Sequence, residues 1–225
     1  MGMELQLEQI SPKQLDGFIG APKRAYEYVL SEMLATPVVS DFLKMLAQNE
    51  QNLAPEARTN RDRLATMLPL RRPKENGGNL RLLRKYIDPK RSKRKTFRRR
   101  QFSLEKNWHV LHYLLNGTAE GGDGLASAIL GGTEIPDVEG VMGYGPMRYL
   151  TPTQVRAAAN ALATVSKEEL TSRFNKNAAE AERIYLAHAI ETPADRAYLY
   201  ELFEGLREFY ADAAARGNAM LMALY

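Results

Sequence analysis

Three segments of this sequence share a residue arrangement that marks the beginning of a helix. Ser11-Pro12-Lys13-Gln14, Thr151-Pro152-Thr153-Gln154 and Thr192-Pro193-Ala194-Asp195 each place a polar acceptor side chain three residues after a hydroxyl residue. The hydroxyl can cap the backbone N–H of that third residue, whose side chain can bond back, and proline suits the first helical position. Ser166-Lys167-Glu168-Glu169 repeats the spacing without proline. The sequence therefore predicts four helix starts.

The two ends of the chain have the character of strands. In "MELQLEQI", the apolar residues Met3, Leu5 and Leu7 alternate with polar ones, which is the period of a half-buried strand. "AMLMALY" at the other end is a short apolar run typical of a buried strand, and it follows a helix predicted over about 193–216 and Gly217. We predict an α+β fold, in which a small mixed sheet includes both terminal strands and several helices pack on it.

The middle of the chain differs in composition. Residues 48–101 are rich in Asn, Gln, Arg, Pro and Gly, which predicts a helical or loop-rich insertion within a domain formed by 1–47 and 102–225. The basic segment, residues 81–100, carries eleven cations and one carboxylate. The net charge is zero over 1–80, +10 over the basic segment and −6 over 101–225. The basic character is therefore local.

Composition limits the class of protein. The chain has no cysteine, which excludes disulfides, thiol nucleophiles and cysteine-bound metals and fits a reducing compartment. No apolar run approaches the ~20 residues of a membrane span, and "MGMELQLEQI" lacks the features of a signal peptide. We expect a cytoplasmic protein without membrane attachment.

The basic segment is the candidate partner-binding surface. Its charge suits an acidic protein partner, for which electrostatic complementarity speeds association, with Phe97 as an apolar anchor. The same cations could bind nucleic acid, with Phe97 and Phe102 stacking on bases, although no recognised nucleic-acid module surrounds them. They could also neutralise the acidic half of the chain. The expected contact residues are Lys90, Arg91, Lys93, Arg94, Phe97, Arg98, Arg99 and Arg100.

A second candidate site is a pocket for a small anion. Trp108 and His112 share a face of a helix predicted to begin with Ser103 as its N-cap, where His112 is available for proton transfer or is a satisfied core residue. In "GYGPMRYLTPTQ", Tyr144, Arg148 and Tyr149 precede a helix N-terminus, where an anion would find backbone donors and a guanidinium. The alternative is structural: Arg148 pairs with a carboxylate and the tyrosines pack.

Evidence for catalysis or a cofactor is weak. His109 lies three residues before His112, but His188 is the only other histidine and no nearby carboxylate completes a set of metal ligands. The glycine-rich "GTAEGGDG" lacks the Gly-Lys-Ser/Thr ending of a phosphate-binding loop. We predict no catalytic residue, metal or cofactor, and the sequence favours a non-catalytic protein over an enzyme.

Four stretches together give a family resemblance. "LEKNWHVLHYLLNG", "AILGG", "GYGPMRYLTPTQV" and "FYADAAARGNAMLMAL" resemble the YfbM-like family of bacterial proteins of unknown function. The resemblance implies a single mixed α+β domain without an established activity, and some relatives look like immunity-type partners of bacterial toxins. Residues of about 40–101, which include the basic segment, depart from the pattern.

Three functional hypotheses follow. The first is a non-catalytic interaction protein, specifically an immunity protein that neutralises a cognate bacterial toxin by binding and occluding it. The second is an accessory protein that binds nucleic acid through the basic segment. The third is a small-anion, nucleotide-binding or enzymatic pocket near Arg148.

Overall fold

The fold is known from a computed structural model that describes residues 3–34, 100–121, 124–136 and 144–224. The described strands are β1 (Leu5–Ile10), β2 (Gln101–Glu105), β3 (Thr133–Glu134), β4 (Arg148–Leu150) and β5 (Ala219–Leu224). The described helices are α1 (Pro12–Ile19), α2 (Pro22–Leu34), α3 (Trp108–Asn116), α4 (Ser127–Leu130), α5 (Pro152–Ala163), α6 (Lys167–Ser172), α7 (Lys176–Ala181) and α8 (Pro193–Ala215). A short 3-10 turn, Ala187–Ala189, precedes α8.

The strands form one sheet in the order β2-β1-β5-β4-β3. The terminal strands β1 and β5 are neighbours and pair along their whole length, with Leu5 opposite Leu224 and Ile10 opposite Ala219. The predicted α+β class and the inclusion of both terminal strands are confirmed. All four described pairings are antiparallel, although a mixed sheet was expected. The chain reverses direction between each pair of neighbouring strands, so the described sheet contains no parallel crossover.

One face of the sheet carries the main hydrophobic core. Leu7 lies opposite Met222 and Leu150 opposite Met220, so these side chains point to the same side. They pack with α3, α5 and α8 in a cluster of buried side chains that includes Leu111, Val155, Phe203 and Leu206. Each such side chain stabilises the fold by about 1.5–3 kcal/mol through its removal from water.

The predicted helix starts are confirmed. The Ser11 hydroxyl accepts from the Gln14 backbone N–H at 3.3 Å, and the Gln14 side-chain oxygen accepts from the Ser11 N–H at 3.0 Å. Equivalent reciprocal caps open α5 at Thr151 and α8 at Thr192. Ser166 caps α6 by accepting from the Glu169 N–H at 3.1 Å. These caps satisfy backbone donors that a helix cannot bond itself.

The predicted N-cap at Ser103 is wrong. Ser103 lies within β2, opposite Gln6 of β1, and α3 begins only at Trp108. Glu105 turns the chain between strand and helix with a left-handed φ of 49°. The backbone of residues 101–105 bonds to β1, a segment about a hundred positions away in the sequence, and local helix patterns carry no information about such pairing.

The Phe102 ring of β2 packs against α8 at Gly205. A Cβ atom at Gly205 would lie 2.8 Å from this ring, so a larger residue there would require the ring to shift. The Phe102 ring also stacks on Phe209, with 5.6 Å between the centroids. This aromatic ring, considered above as a stacking surface for bases, is therefore packed against α8.

Contacts divide the chain into two compact units. One unit is formed by Met1–Gly20 and Arg99–Tyr225, and the other by Ala21–Arg98. The predicted boundary after residue 47 lies outside the described residues and stays a prediction. Within the described ranges, no helix is long and apolar enough to cross a membrane.

Candidate functional site

The five residues of the predicted pocket fall into two groups. Trp108 and His112 lie on α3, whereas Arg148 and Tyr149 lie on β4 and Tyr144 precedes that strand. Tyr144 is 48% exposed. Among the described residues, no hydrogen bond, ion pair or ring contact joins the two groups.

Arg148 is held by groups of its own unit. Its Nε donates to the Gly131 carbonyl and one terminal nitrogen donates to the Gly132 carbonyl, both at 3.0 Å. The other terminal nitrogen pairs with the Glu134 carboxylate at 2.6 Å. Each guanidinium nitrogen thus has an acceptor, which is the geometry expected of an arginine that fastens the β3–β4 end of the sheet.

Gly132 allows this arrangement. Its φ of 84° is left-handed, and a Cβ atom there would lie 2.3 Å from the Tyr149 carbonyl oxygen. Glycine tolerates this conformation and this closeness, whereas other residues do not. Nothing in the sequence "AILGG" shows that its glycine carbonyls accept hydrogen bonds from Arg148.

Trp108 is the centre of an aromatic cluster. Its indole is 5% exposed and donates from Nε1 to the Met3 carbonyl at 3.3 Å. The ring stacks on His109, with centroids 4.7 Å apart, and on Tyr185, with centroids 6.3 Å apart. The Tyr185 hydroxyl in turn accepts from the Met3 N–H at 3.2 Å. Trp108 therefore ties the start of β1 to α3 and to residue 185.

His109 is bonded on both ring nitrogens. The backbone N–H of Tyr185 donates to Nδ1 at 2.9 Å, and Nε2 lies 2.9 Å from the Ala119 carbonyl. Nδ1 accepts, so the proton is on Nε2, which donates to the carbonyl. Burial lowers the pKa of His109, and the bond to the Ala119 carbonyl offsets part of that effect.

His112 is fully buried and bonded on one nitrogen only. Its Nε2 lies 2.7 Å from the Glu120 carbonyl, so this nitrogen carries the proton, and the Asn116 amide lies 3.2 Å from the same nitrogen. Nδ1 is buried and has no hydrogen-bond partner in the described part of the chain. Burial is the main effect that lowers the pKa of His112, and the neighbouring His109 lowers it further.

The segment that carries Tyr185 is strained. Arg183 and Leu186 have φ angles of 55° and 60°, in the left-handed region that non-glycine residues rarely adopt. Such residues cost of order 1–3 kcal/mol each, so surrounding contacts must hold them. We name residues 183–186 the Tyr185 turn. Nothing in "AERIYLAHAI" indicates this turn, because the stretch has no periodic pattern, and the sequence suggested His109 only as a possible metal ligand.

The predicted partner-binding residues are almost all outside the described residues. This applies to Lys90, Arg91, Lys93, Arg94, Phe97, Arg98 and Arg99, which stay a prediction. Arg100 is described and exposed, and its carbonyl accepts from the Gln9 N–H at 2.8 Å at the start of β2. Arg100 thus lies directly before β2, an edge strand of the sheet.

The described side chains offer no evident metal site. In residues 3–34, 100–121, 124–136 and 144–224, no group of three or more His, Asp or Glu residues is arranged to hold a metal ion. The two histidines of α3 point their protonated nitrogens at backbone carbonyls. In that arrangement they act as hydrogen-bond donors.

A solved structure has a fold similar to that of this chain. The crystal structure of YfbM from Escherichia coli, a protein of unknown function, superimposes with a TM-score of 0.54 at 14% identity and covers 99% of both chains. No curated protein matches the sequence. Both the structural match and the family match extend through residues 48–101, so neither supports the prediction that these residues are an insertion.

The family assignment rests on the sequence as a whole. Residues 1–223 match the family described as a domain of unknown function, DUF1877. The resemblance to YfbM-like proteins noted from four short stretches is confirmed by this match and by the shared fold. The chain belongs to the DUF1877 family.

Proposed function

We propose that this chain is a non-catalytic protein of the bacterial cytoplasm that binds an acidic protein partner through its basic segment. In its specific form, it is an immunity protein that neutralises a cognate toxin by occluding it. The observation that carries the proposal is the separation of charge, +10 within residues 81–100 against −6 over 101–225. The immunity role rests on the family resemblance and not on geometry.

The contacts of the candidate pocket support a non-catalytic role. Arg148 already bonds to two carbonyls and to Glu134, so a bound anion would have to replace these partners. The pocket histidine, His112, bonds through Nε2 to the Glu120 carbonyl and is fully buried, so a substrate in solvent does not reach it in this conformation. The described polar groups with the most suggestive sequence positions thus stabilise the fold.

A protein partner is favoured over nucleic acid by the position of Phe102. Binding of single strands without sequence preference combines a cationic path with aromatic rings that stack on bases. The Phe102 ring is instead stacked on Phe209 and packed against Gly205. The cations then contribute mainly long-range attraction, which speeds association with a surface of opposite charge.

The test uses the full-length chain as bait in an extract of its host, followed by binding kinetics with the purified partner. One variant replaces Arg94, Arg98 and Arg99 with Gln. The matched control removes three exposed cations outside the basic segment, Lys13, Lys106 and Arg156, which form no ion pair in the described part of the chain. We expect the first variant to slow association about 10-fold or more at low salt and the control to change it little.

Two results would contradict the proposal. One is recovery of nucleic acid without a stoichiometric protein partner, together with affinity for a generic duplex that falls steeply as salt rises. The other is equal loss of association rate in both variants, which would show that only the total charge matters. A toxin that remains active when the purified chain is bound to it would reject the immunity role alone.

A further inference from the structure

The two histidines of α3 hold two different backbone segments against the same helix. His109 joins the Ala119 carbonyl to the Tyr185 N–H, and His112 bonds to the Glu120 carbonyl. The first segment is the loop that follows α3, and the second is the Tyr185 turn. Both attachments are made through imidazole nitrogens in a single tautomer, with the proton on Nε2.

We propose that His109 and His112 form a proton-operated latch, in which the neutral rings fasten the Tyr185 turn over Trp108 and protonation releases it. A proton added to Nδ1 of His109 would point at the Tyr185 N–H, so two donors would face each other at a site where one now accepts. A proton added to Nδ1 of His112 would place an N–H in a buried position without an acceptor among the described residues.

The strain in the Tyr185 turn favours its release once the bond to His109 is broken. Arg183 and Leu186 are held in left-handed conformations that the turn leaves once its attachment to His109 is lost. The Tyr185 ring stacks on Trp108 and its hydroxyl accepts from Met3 N–H, so release of the turn uncovers the indole and frees the chain before β1. Protonation at α3 is thereby transmitted to the amino-terminal strand.

The charged groups near His109 and His112 do not stabilise the protonated, imidazolium form of either ring. On the elements packed against α3, these groups are Glu120 on the loop, Arg183 on the turn, and Arg173, which donates to the Leu114 and Leu115 carbonyls and pairs with Glu169. The side chains of Glu120 and Arg183 are exposed. Each imidazole also raises the cost of charging the other, since they lie one turn apart.

Trp108 is the only tryptophan of the chain and therefore reports on the latch directly. We would record its emission spectrum, its quenching by iodide and the far-UV circular dichroism of the full chain from about pH 8 to about pH 5, a range that includes the usual histidine pKa of ~6.5. The expected result is a shift of the emission to longer wavelength and a severalfold rise in iodide quenching as the pH falls, while the helical signal is retained.

Two variants separate the latch from general effects of acid. His109→Asn keeps an acceptor near the Nδ1 position but cannot be protonated, so we expect the pH-dependent change in emission to disappear. His188→Gln removes the third histidine, which is exposed, and should leave the change as in the wild type. If His109→Asn does not fold, nitrogen NMR of the wild-type histidines tests the proposal instead. The latch requires that neutral His109 carries its proton on Nε2 at high pH, and a proton on Nδ1 would contradict it.

Three outcomes would overturn the latch. The first is a Trp108 environment that stays constant over this range, and the second is the same change in wild type and His109→Asn. The third is loss of helical signal that coincides with the change in emission, because the event would then be global unfolding.

Discussion

Replacement of Arg148 by Gln tests whether this residue stabilises the sheet or forms an anion-binding site. The substitution removes two charged hydrogen bonds to the Gly131 and Gly132 carbonyls and one ion pair with Glu134. A hydrogen bond to a charged group contributes ~1.5–3 kcal/mol when shielded, and an exposed ion pair ~0–1 kcal/mol. The Arg148 side chain is 33% exposed, so water can replace part of what is lost. We expect a loss of about 2 kcal/mol in the free energy of unfolding.

Thermal unfolding followed by circular dichroism measures this loss. For a chain of this length, 1 kcal/mol corresponds to ~2–4 °C, so the melting temperature of Arg148→Gln should fall by about 4–8 °C. Arg156→Gln is the matched control, because Arg156 is exposed on α5 and has no ion pair within the described ranges. Equal melting temperatures for the two variants would refute the structural role. Stabilisation of the wild type by phosphate that disappears in Arg148→Gln would show an anion site instead.

Three further predictions concern the core, a glycine and pH. Tyr210→Phe removes a buried hydroxyl that donates to the Ala128 carbonyl at 2.8 Å, so unfolding in urea should show a loss of about 1–2 kcal/mol. Gly132→Ala should lower the free energy of unfolding clearly more than Gly117→Ala in the same assay. Both glycines have a left-handed φ, which costs another residue ~1 kcal/mol, but only at Gly132 would a Cβ atom meet backbone, at 2.3 Å. Equal losses in the two variants would contradict the close approach at Gly132. Since burial lowers the pKa of His109 and His112, the unfolded chain takes up protons first as the pH falls. Stability should therefore be constant above about pH 6.5 and decrease below it, as measured by the urea midpoint; a midpoint that rises on acidification would show the opposite sign.

Several elements of the fold could be predicted from local sequence. The hydroxyl-Pro-x-acceptor arrangement placed the first residues of α1, α5 and α8, because both halves of each cap come from the same four residues. Gly217 marked the end of α8, since its φ of 64° favours glycine. The period of two in "MELQLEQI" identified β1, but the strand is not half-buried as expected, because Glu8 is buried on one face as fully as Leu7 is on the other.

The candidate site was predictable only in part. The sequence placed Trp108 and His112 on one helical face, and both are buried on α3. It offered no reason to choose Tyr185 and Met3 as neighbours of Trp108, since these contacts join residues 77 and 105 positions apart. The structural alternative for Arg148, pairing with a carboxylate, matches its contact with Glu134, but its bonds to glycine carbonyls could not be inferred.

By itself, the sequence determined the features whose partners lie within one helical turn or within one strand: the caps, the alternation in the first strand and the apolar run of the last, and the local excess of charge in the basic segment. Tertiary structure decided the pairing of β2 with β1, the tautomers of the two histidines and the partners of Arg148. The physical reason is that a hydrogen bond between distant segments depends on where packing brings the backbone, and backbone donors and acceptors are the same for every residue except proline.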